Sequence, residues 1–370
     1  MKLKYTSVLS LSILAFLCGC TTFDASLKDF PKAPATPSFS KPYISKIAFG
    51  SCQQIASETK TFDTIYKRSP DVFLMLGDNV YGDYTPDDPM QSGMRATYWQ
   101  LSKNPSFKNI ISKVTTFTTW DDHDYGDQDA GNDFKFRKTT EKMFETFWNL
   151  ENNDLAKRGG IYQSYLLGDD EHKVQFIILD TRFFRDKLLP SDDINIKGKE
   201  RYMSHPIESK ASMLGDNQWK WFENELRKPA KIRIIVSSIQ LVADGNGFEA
   251  WEKFPAERQK FYDLIAKTKA QGVVVLSGDR HHASINVSKN TIYPIYDFTS
   301  SPFSGSARSG DNEIAPNRIY VSPKEVLNFG EVEIDWVNKN IFLNVLNQDG
   351  QMLHKEKIEF SKIETKKAPN

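Results

Sequence analysis

Short apolar runs that each break off into a knot of polar side chains constrain this chain more than any other feature. The runs 44–50, 72–76, 115–120, 174–180, 232–238 and 273–277 are rich in β-branched and aromatic residues and read as strands. Helix-period patterns at 59–68, 137–150, 218–227 and 256–270 lie between them, with weaker ones at 90–101 and 104–112. Near the end, 329–336 and 341–347 flank Asn338-Lys339-Asn340, which reads as a hairpin. Strands alternating with helices and followed by a β-rich tail predict an α/β (α+β) fold with mixed sheets and the helices outside.

The polar residues fall where the strands end. Ala48-Phe49 runs into Gly50-Ser51-Cys52-Gln53, and Leu74-Met75-Leu76 into Gly77-Asp78-Asn79. Thr119-Trp120 runs into Asp121-Asp122-His123, Val236-Ser237-Ser238 into Ile239-Gln240, and Val275-Leu276 into Ser277-Gly278-Asp279-Arg280-His281. Loops at the carboxyl ends of strands converge in α/β folds and hold ligands there. Five such loops, each carrying a donor atom, predict one shared site.

Lys+Arg and Asp+Glu are each 48. That balance leaves no basic surplus to draw the chain to nucleic acid, which is not expected as a partner. At the start, Lys2 and Lys4 precede an apolar stretch at 8–17 that is too short to span a bilayer. The stretch ends in Leu17-Cys18-Gly19-Cys20, which resembles a bacterial lipobox. That resemblance implies an exported lipoprotein with residues 1–20 as signal and Cys20 as the lipidation site and membrane attachment; an ordinary signal peptide or an uncleaved anchor is the other reading. Residues 21–42, rich in Pro, Ser, Thr, Ala and Lys, read as a flexible tether. A single folded domain is expected over 43–360 and a disordered tail over 361–370, in a monomer. Of the three cysteines only Cys52 then remains in the folded part, where no internal disulfide is possible. A free thiol in an oxidising compartment is a liability unless it is buried or bound.

The spacing of the donors carries chemistry. In Gly77-Asp78-Asn79-Val80-Tyr81, Asp78 is able to bridge two cations, and the Tyr81 phenolate is a hard oxygen donor suited to a trivalent ion. Taken alone, the motif is equally a plain turn. Trp120-Asp121-Asp122-His123-Asp124 packs three carboxylates around one His, a repulsive group that a cation relieves. After strand 273–277, Asp279 and His281 share one face while Arg280 points the other way. His282 reads as structural.

Taken in order, Phe49-Gly50-Ser51-Cys52-Gln53, Gly77-Asp78-Asn79-Val80-Tyr81, Trp120-Asp121-Asp122-His123, Leu179-Asp180-Thr181-Arg182 and Ser277-Gly278-Asp279-Arg280-His281 resemble the successive motifs of the PhoD-like alkaline phosphatase family. That family belongs to the calcineurin-like metallophosphoesterase superfamily, and the match runs over roughly 44–347. The resemblance implies a β-sandwich of two mixed sheets flanked by helices. It also implies a phosphodiesterase or phosphomonoesterase acting on a phosphate ester, in which a metal-bound hydroxide attacks phosphorus. Asp78 would be the bridging carboxylate, with Tyr81 and Cys52 on Fe(III). Asp122, Asp279 and His281 would complete the metal ligands with Ca²⁺ or other divalent ions, and His123 would take the place of the catalytic His. Gln240 stands where many members carry a ligand His, although a strand-end Gln is also commonly structural. Arg182 would assist at the phosphate; the alternative is an Arg paired structurally with Asp180. Longer members carry a β-rich domain before the first motif, whereas a tether precedes residue 44 here. Two rival readings stay open. One is a cysteine hydrolase using Cys52 with His281, and the other is a lipid-anchored binding protein on the same fold.

Overall fold

The computed structural model describes residues 27–151, 157–192, 201–289, 291–311 and 313–365. In chain order the strands are β1 (Lys46–Gly50), β2 (Val72–Leu76), β3 (Thr115–Thr119), β4 (Gln163–Leu167), β5 (Val174–Ile178), β6 (Leu189–Pro190), β7 (Tyr202–Met203) and β8 (Ile232–Val236). They continue with β9 (Val273–Ser277), β10 (Ser284–Ser288), β11 (Ile295–Thr299), β12 (Arg318–Val321), β13 (Asn328–Asp335), β14 (Asn340–Asn347) and β15 (Met352–Glu359). The helices are α1 (Lys60–Lys67), α2 (Ser92–Lys103), α3 (Pro105–Lys113), α4 (Asp122–Tyr125), α5 (Arg137–Phe147), α6 (Gly215–Leu226) and α7 (Pro255–Thr268).

Two mixed sheets face one another. One has the order β15-β14-β13-β1-β2-β3 and the other β12-β10-β11-β9-β8-β5-β4. Within the first, β1, β2 and β3 run parallel; within the second, β5, β8, β9 and β11 do. The antiparallel partners lie toward the edges. The architecture has the mixed sheets that the sequence pattern predicts, arranged as the sandwich that the family resemblance implies.

Period-two alternation along β2 divides its side chains between two cores. Val72, Leu74 and Leu76 join the layer between the sheets, and Phe73 and Met75 join the layer under the helices. Phe49 on β1 meets Phe298 on β11 edge-to-face at 4.8 Å across the sheet-to-sheet layer. On the outer face Phe62 of α1 packs on Phe73, Phe107 and Phe303. A strand buried on both faces has no polar side to show, which is why β2 reads as an unbroken apolar run.

Both ends of the predicted domain need correction. Of the expected tether 21–42, residues 27–42 are described and lie against the domain. Leu27, Phe30 and Ala33 are buried, and Phe30 stacks edge-on against Tyr98. The Ala33 N–H donates to Phe147 O at 2.7 Å, and the Thr36 side chain both donates to Val114 O and accepts from Thr116 N–H. The three apolar contacts of Leu27, Phe30 and Ala33, with the backbone and Thr36 hydrogen bonds, hold an extended strap, and composition alone does not register them. At the other end, Ile363 is buried and its carbonyl accepts from Gly272 N–H at 2.8 Å, so the domain extends past 360. The signal, Cys20 and residues 366–370 of the expected tail lie outside the described residues. No described helix is long and apolar enough to cross a membrane.

Candidate metal centre

Parallel β1, β2 and β3 deliver their carboxyl ends to one edge of the sandwich, and β9 of the facing sheet ends beside them. The loops that follow are locked to each other through backbone. Cys52 N–H donates to Gly77 O at 3.3 Å, Gln53 N–H to Asp78 O at 2.9 Å and Gly278 N–H to Ser238 O at 2.9 Å. Two glycines make this closeness possible. A Cβ on Gly77, whose φ is +102°, would lie 2.6–2.8 Å from atoms of Trp120 and Asp121, and one on Gly278 would lie 2.3 Å from Ser51 Oγ.

Cys52, Asp78, Asp279 and His281 all adopt positive φ, at 60°, 51°, 65° and 56°. Each costs on the order of 1–3 kcal/mol for a residue with a Cβ. Such strain persists only where the surroundings over-determine it, and here it turns four candidate ligands toward one point.

The Tyr81 hydroxyl donates to Asp78 Oδ2 at 3.0 Å and lies 3.0 Å from His281 Nε2. Cys52 Sγ stands 3.5 Å from the same Asp78 oxygen. Donor atoms of Cys52, Asp78 and His281 fall within 4.8 Å of one another, and so do those of Asp78, Asp122 and His123. Asp78 therefore belongs to both groups, the position a bridging carboxylate takes. Asp279 Oδ2 is buried without a hydrogen bond and faces the same cleft as His123 and His281. Thiol, phenol, imidazole and carboxylates around a shared carboxylate fit metal ions, with the soft and phenolic donors on one side and the oxygens on the other.

Electrostatics point the same way. Burial, with Asp78 beside each, pushes both the Cys52 thiol and the Tyr81 phenol well above their ordinary values. Burial raises Asp78 as well, helped by Asp122, Asp121 and Asp124. Burial likewise raises Asp279 to about 7 and lowers His281 to about 3. Asp122 goes the other way: its burial is outweighed by the charges of His123 and Arg182, which hold it at about 2. Burial lowers His123, but Asp122, Asp78 and Asp83 outweigh it and raise the imidazole to about 11. Buried ligands that hold protons without a cation release them when one binds.

Two expected site residues serve the scaffold instead. Arg182 is fully buried. Its Nε donates to Asp121 Oδ1 at 2.6 Å and its Nη1 to Glu249 Oε2 at 2.8 Å, while Nη2 is shared between the same two carboxylates. Its guanidinium is thereby spent on protein and is not presented to a phosphate. The partner is Asp121, not Asp180, which instead accepts from Trp120 Nε1 and from the backbone of Ile161, Arg182 and Phe183. Gln240 donates to Ser284 and Thr299 and accepts from Asn246. Both ends of its amide are used, because the chain after β8 turns it into the sheet layer rather than toward Asp78. His282 is buried apart from the cluster, 3.8 Å from Glu313.

Sequence reasoning named Asp124 without assigning it a role, and missed Asp83 and Glu249. Asp124 accepts from the backbone of Asp78, Asn79 and Asp121 and from the Asn79 amide, so one carboxylate ties β2's loop to α4. Asp83 accepts from His123 Nδ1 at 2.8 Å, and the His123 ring stacks on Tyr81 at 4.0 Å. Asp83 sits two residues past Tyr81 and was within reach of the motif; Glu249 comes from a segment with no periodic pattern at all.

Matching against family models gives the PhoD-like phosphatase family over residues 47–341. The chain belongs to that family. An alkaline phosphatase D of Bacillus subtilis (strain 168) is 23% identical over 282 residues, covering 63% of this chain and 45% of its own length. The chain thus spans less than half of that relative. Among solved structures, PhoD superposes with a TM-score of 0.65 at 16% identity over 89% of this chain and 74% of its own. The purple acid phosphatase PPD1 from yellow lupin (Lupinus luteus) seeds superposes at 0.58 with 12% identity, over 90% of this chain and 58% of its own. These PhoD-like and purple-acid-phosphatase folds share the mixed-sheet sandwich described above.

Proposed function

We propose that this PhoD-like protein hydrolyses phosphate esters, with Fe(III) held by Cys52, Asp78, Tyr81 and His281 and Ca²⁺ beside it at Asp78, Asp122 and Asp279. The observation that carries the reading is the mutual contact of Cys52, Asp78, Tyr81 and His281 around one carboxylate. Unaided phosphate-ester hydrolysis is among the slowest of reactions, needing accelerations of up to ~10²¹ for monoesters. Bound ions supply an acidified water and neutralise phosphoryl charge. The chain's own residues supply the rest. His123 has its Nδ1 on Asp83 and its ring flat against Tyr81, an orientation that leaves Nε2 to donate a proton to the leaving oxygen. Asp124 and the positive-φ turns keep the ligands from relaxing.

The cysteine-hydrolase reading has the wrong electrostatics. A nucleophilic thiol needs a lowered pKa, and Cys52 is raised. Turnover that survives EDTA and is lost to iodoacetamide would restore it. A binding protein would hold metal and turn over neither p-nitrophenyl phosphate nor bis-p-nitrophenyl phosphate. Tyr81→Phe is expected to remove the visible tyrosinate-to-iron absorption and to lower kcat by about 10–100-fold, the range for groups that tune a metal site. Iron content, absorption and activity all unchanged in that variant would sink the assignment. We further propose export with lipid on Cys20; globomycin-sensitive processing and [³H]palmitate labelling lost in Cys20→Ser check it.

A further inference from the structure

The cleft over the candidate metal centre has a volume of about 80 Å³ and is bordered by His123, Asp279, His281 and three arginines, Arg201, Arg280 and Arg308. That is far below the roughly 300–1,000 Å³ of a pocket for a drug-sized ligand; its scale is that of one phosphoryl group. Two of the arginines are engaged. Arg201 Nη1 donates to Asp129 Oδ2 at 2.8 Å. Arg280 pairs with Glu313 and lies over the Phe248 ring at 4.2 Å. Arg308 is exposed, and its guanidinium has no hydrogen-bond or carboxylate partner among the described residues.

Its position is nevertheless fixed. The segment leading to it is stitched to the loop after β1: Phe303 N–H donates to Ser51 O at 2.9 Å, Ile55 N–H to Ser304 Oγ at 2.9 Å and Ser306 N–H to Gln54 Oε1 at 3.1 Å. Arg308's own N–H donates to the carbonyl of His281 at 2.7 Å. The Gln54 amide that holds Ser306 also reaches the His281 ring at 3.2 Å. An unpaired cation is thus mounted on the backbone of a candidate ligand, at the mouth of a cleft that fits one phosphoryl group.

We propose that Arg308 binds the phosphoryl group and selects dianionic phosphate monoesters over diesters; this rests on the phosphoesterase reading above. A monoester has three non-bridging oxygens and two negative charges, and a diester two oxygens and one charge. With two oxygens facing the ligand cluster, only the monoester keeps a third for the guanidinium fork, and a charge-assisted pair there strengthens with the added charge.

The test uses the metal-loaded full chain, with metal content measured in every variant. Arg308→Ala is expected to lower kcat/KM for p-nitrophenyl phosphate by ~10–100-fold, the range of a lost charge-assisted hydrogen bond, chiefly through KM. Bis-p-nitrophenyl phosphate should lose only a few-fold. Inorganic phosphate binding, measured by calorimetry, should weaken by the monoester factor, and Arg308→Lys should recover part of both. Equal losses on the two esters would overturn the selectivity, and unchanged phosphate affinity would overturn the contact. Should the wild type turn over neither ester, the phosphoesterase reading falls, while the phosphate-binding comparison still decides Arg308 separately.

Discussion

Arg182→Ala is expected to unfold more than it slows. Removing this guanidinium leaves Asp121 and Glu249 buried side by side without their shared cation. Breaking a buried pair by deleting one partner costs about 3–5 kcal/mol. For a chain of this size that lowers Tm by on the order of 10 °C. Arg185 keeps its own ion pair with Glu249 at 3.4 Å but is otherwise committed to the carbonyls of Asp129 and Ala130, and no ion pair joins it to Asp121 among the described residues. Arg182→Lys is expected to recover only part, since a single ammonium does not span both carboxylates as a fork does. Thermal melts with kinetics on the surviving folded fraction separate stability from substrate contact. A normal Tm with KM raised ~100-fold would return Arg182 to the phosphate.

Stripping the metals should make stability fall as pH rises from about 6.5 to 8.5, and metal loading should flatten that slope. Burial raises Asp121, Asp124 and Asp279 to about 7 and Glu249 to about 8, all above ordinary carboxylates. His123, its burial outweighed by the carboxylates around it, rises to about 11. Each of these groups holds more proton folded than unfolded in this window, so unfolding releases protons and higher pH favours it. The slope is about 1.4 kcal/mol per pH unit for each net extra proton. His281, lowered to about 3, has the opposite sign below its unfolded value of ~6.5 and offsets about one proton of that slope there, without reversing it. Urea titrations of EDTA-treated and metal-loaded protein at three pH values read the effect. Parallel pH dependences in the two forms would mean that these groups do not answer to a cation.

What could be read in advance followed burial. Strands β1, β2, β3, β5, β8 and β9 are buried along nearly their whole length; most of them write themselves as apolar runs, and β3, Thr-Thr-Phe-Thr-Thr, shows instead through its β-branched residues. β10 was missed although it is equally buried, because Ser284 and Asn286 place polar side chains inside the sheet, where Ser284 Oγ accepts from the Gln240 and Asn286 amides, and such residues look like loop. α4 has only four residues, too few for any period. Within the site, Cys52, Asp78 and Tyr81 were legible because each lies within a few residues of a strand end. Arg182 was misread because its partners Asp121 and Glu249 lie 61 and 67 residues away in sequence. Nothing local distinguishes a guanidinium locked between carboxylates from one offered to substrate. Arg308 was invisible for the converse reason, since its setting is made by long-range stitches to Ser51, Gln54 and His281.

The strap formed by residues 27–42 alters how far from a bilayer such a protein can work. With lipid on Cys20 and the whole of 21–42 free, the leash would be twenty-two residues, reaching roughly 75 Å when taut at about 3.4 Å per residue. With Leu27, Phe30 and Ala33 buried against the domain, lipid on Cys20 would be separated from the first of these by the six residues 21–26, at most about 20 Å of chain. The folded body would then ride close against the headgroups, with its rotation about the anchor curtailed. Its encounters would be confined to a thin layer over the membrane, where substrates dissolved in the bulk and substrates anchored in the leaflet meet it on very different terms.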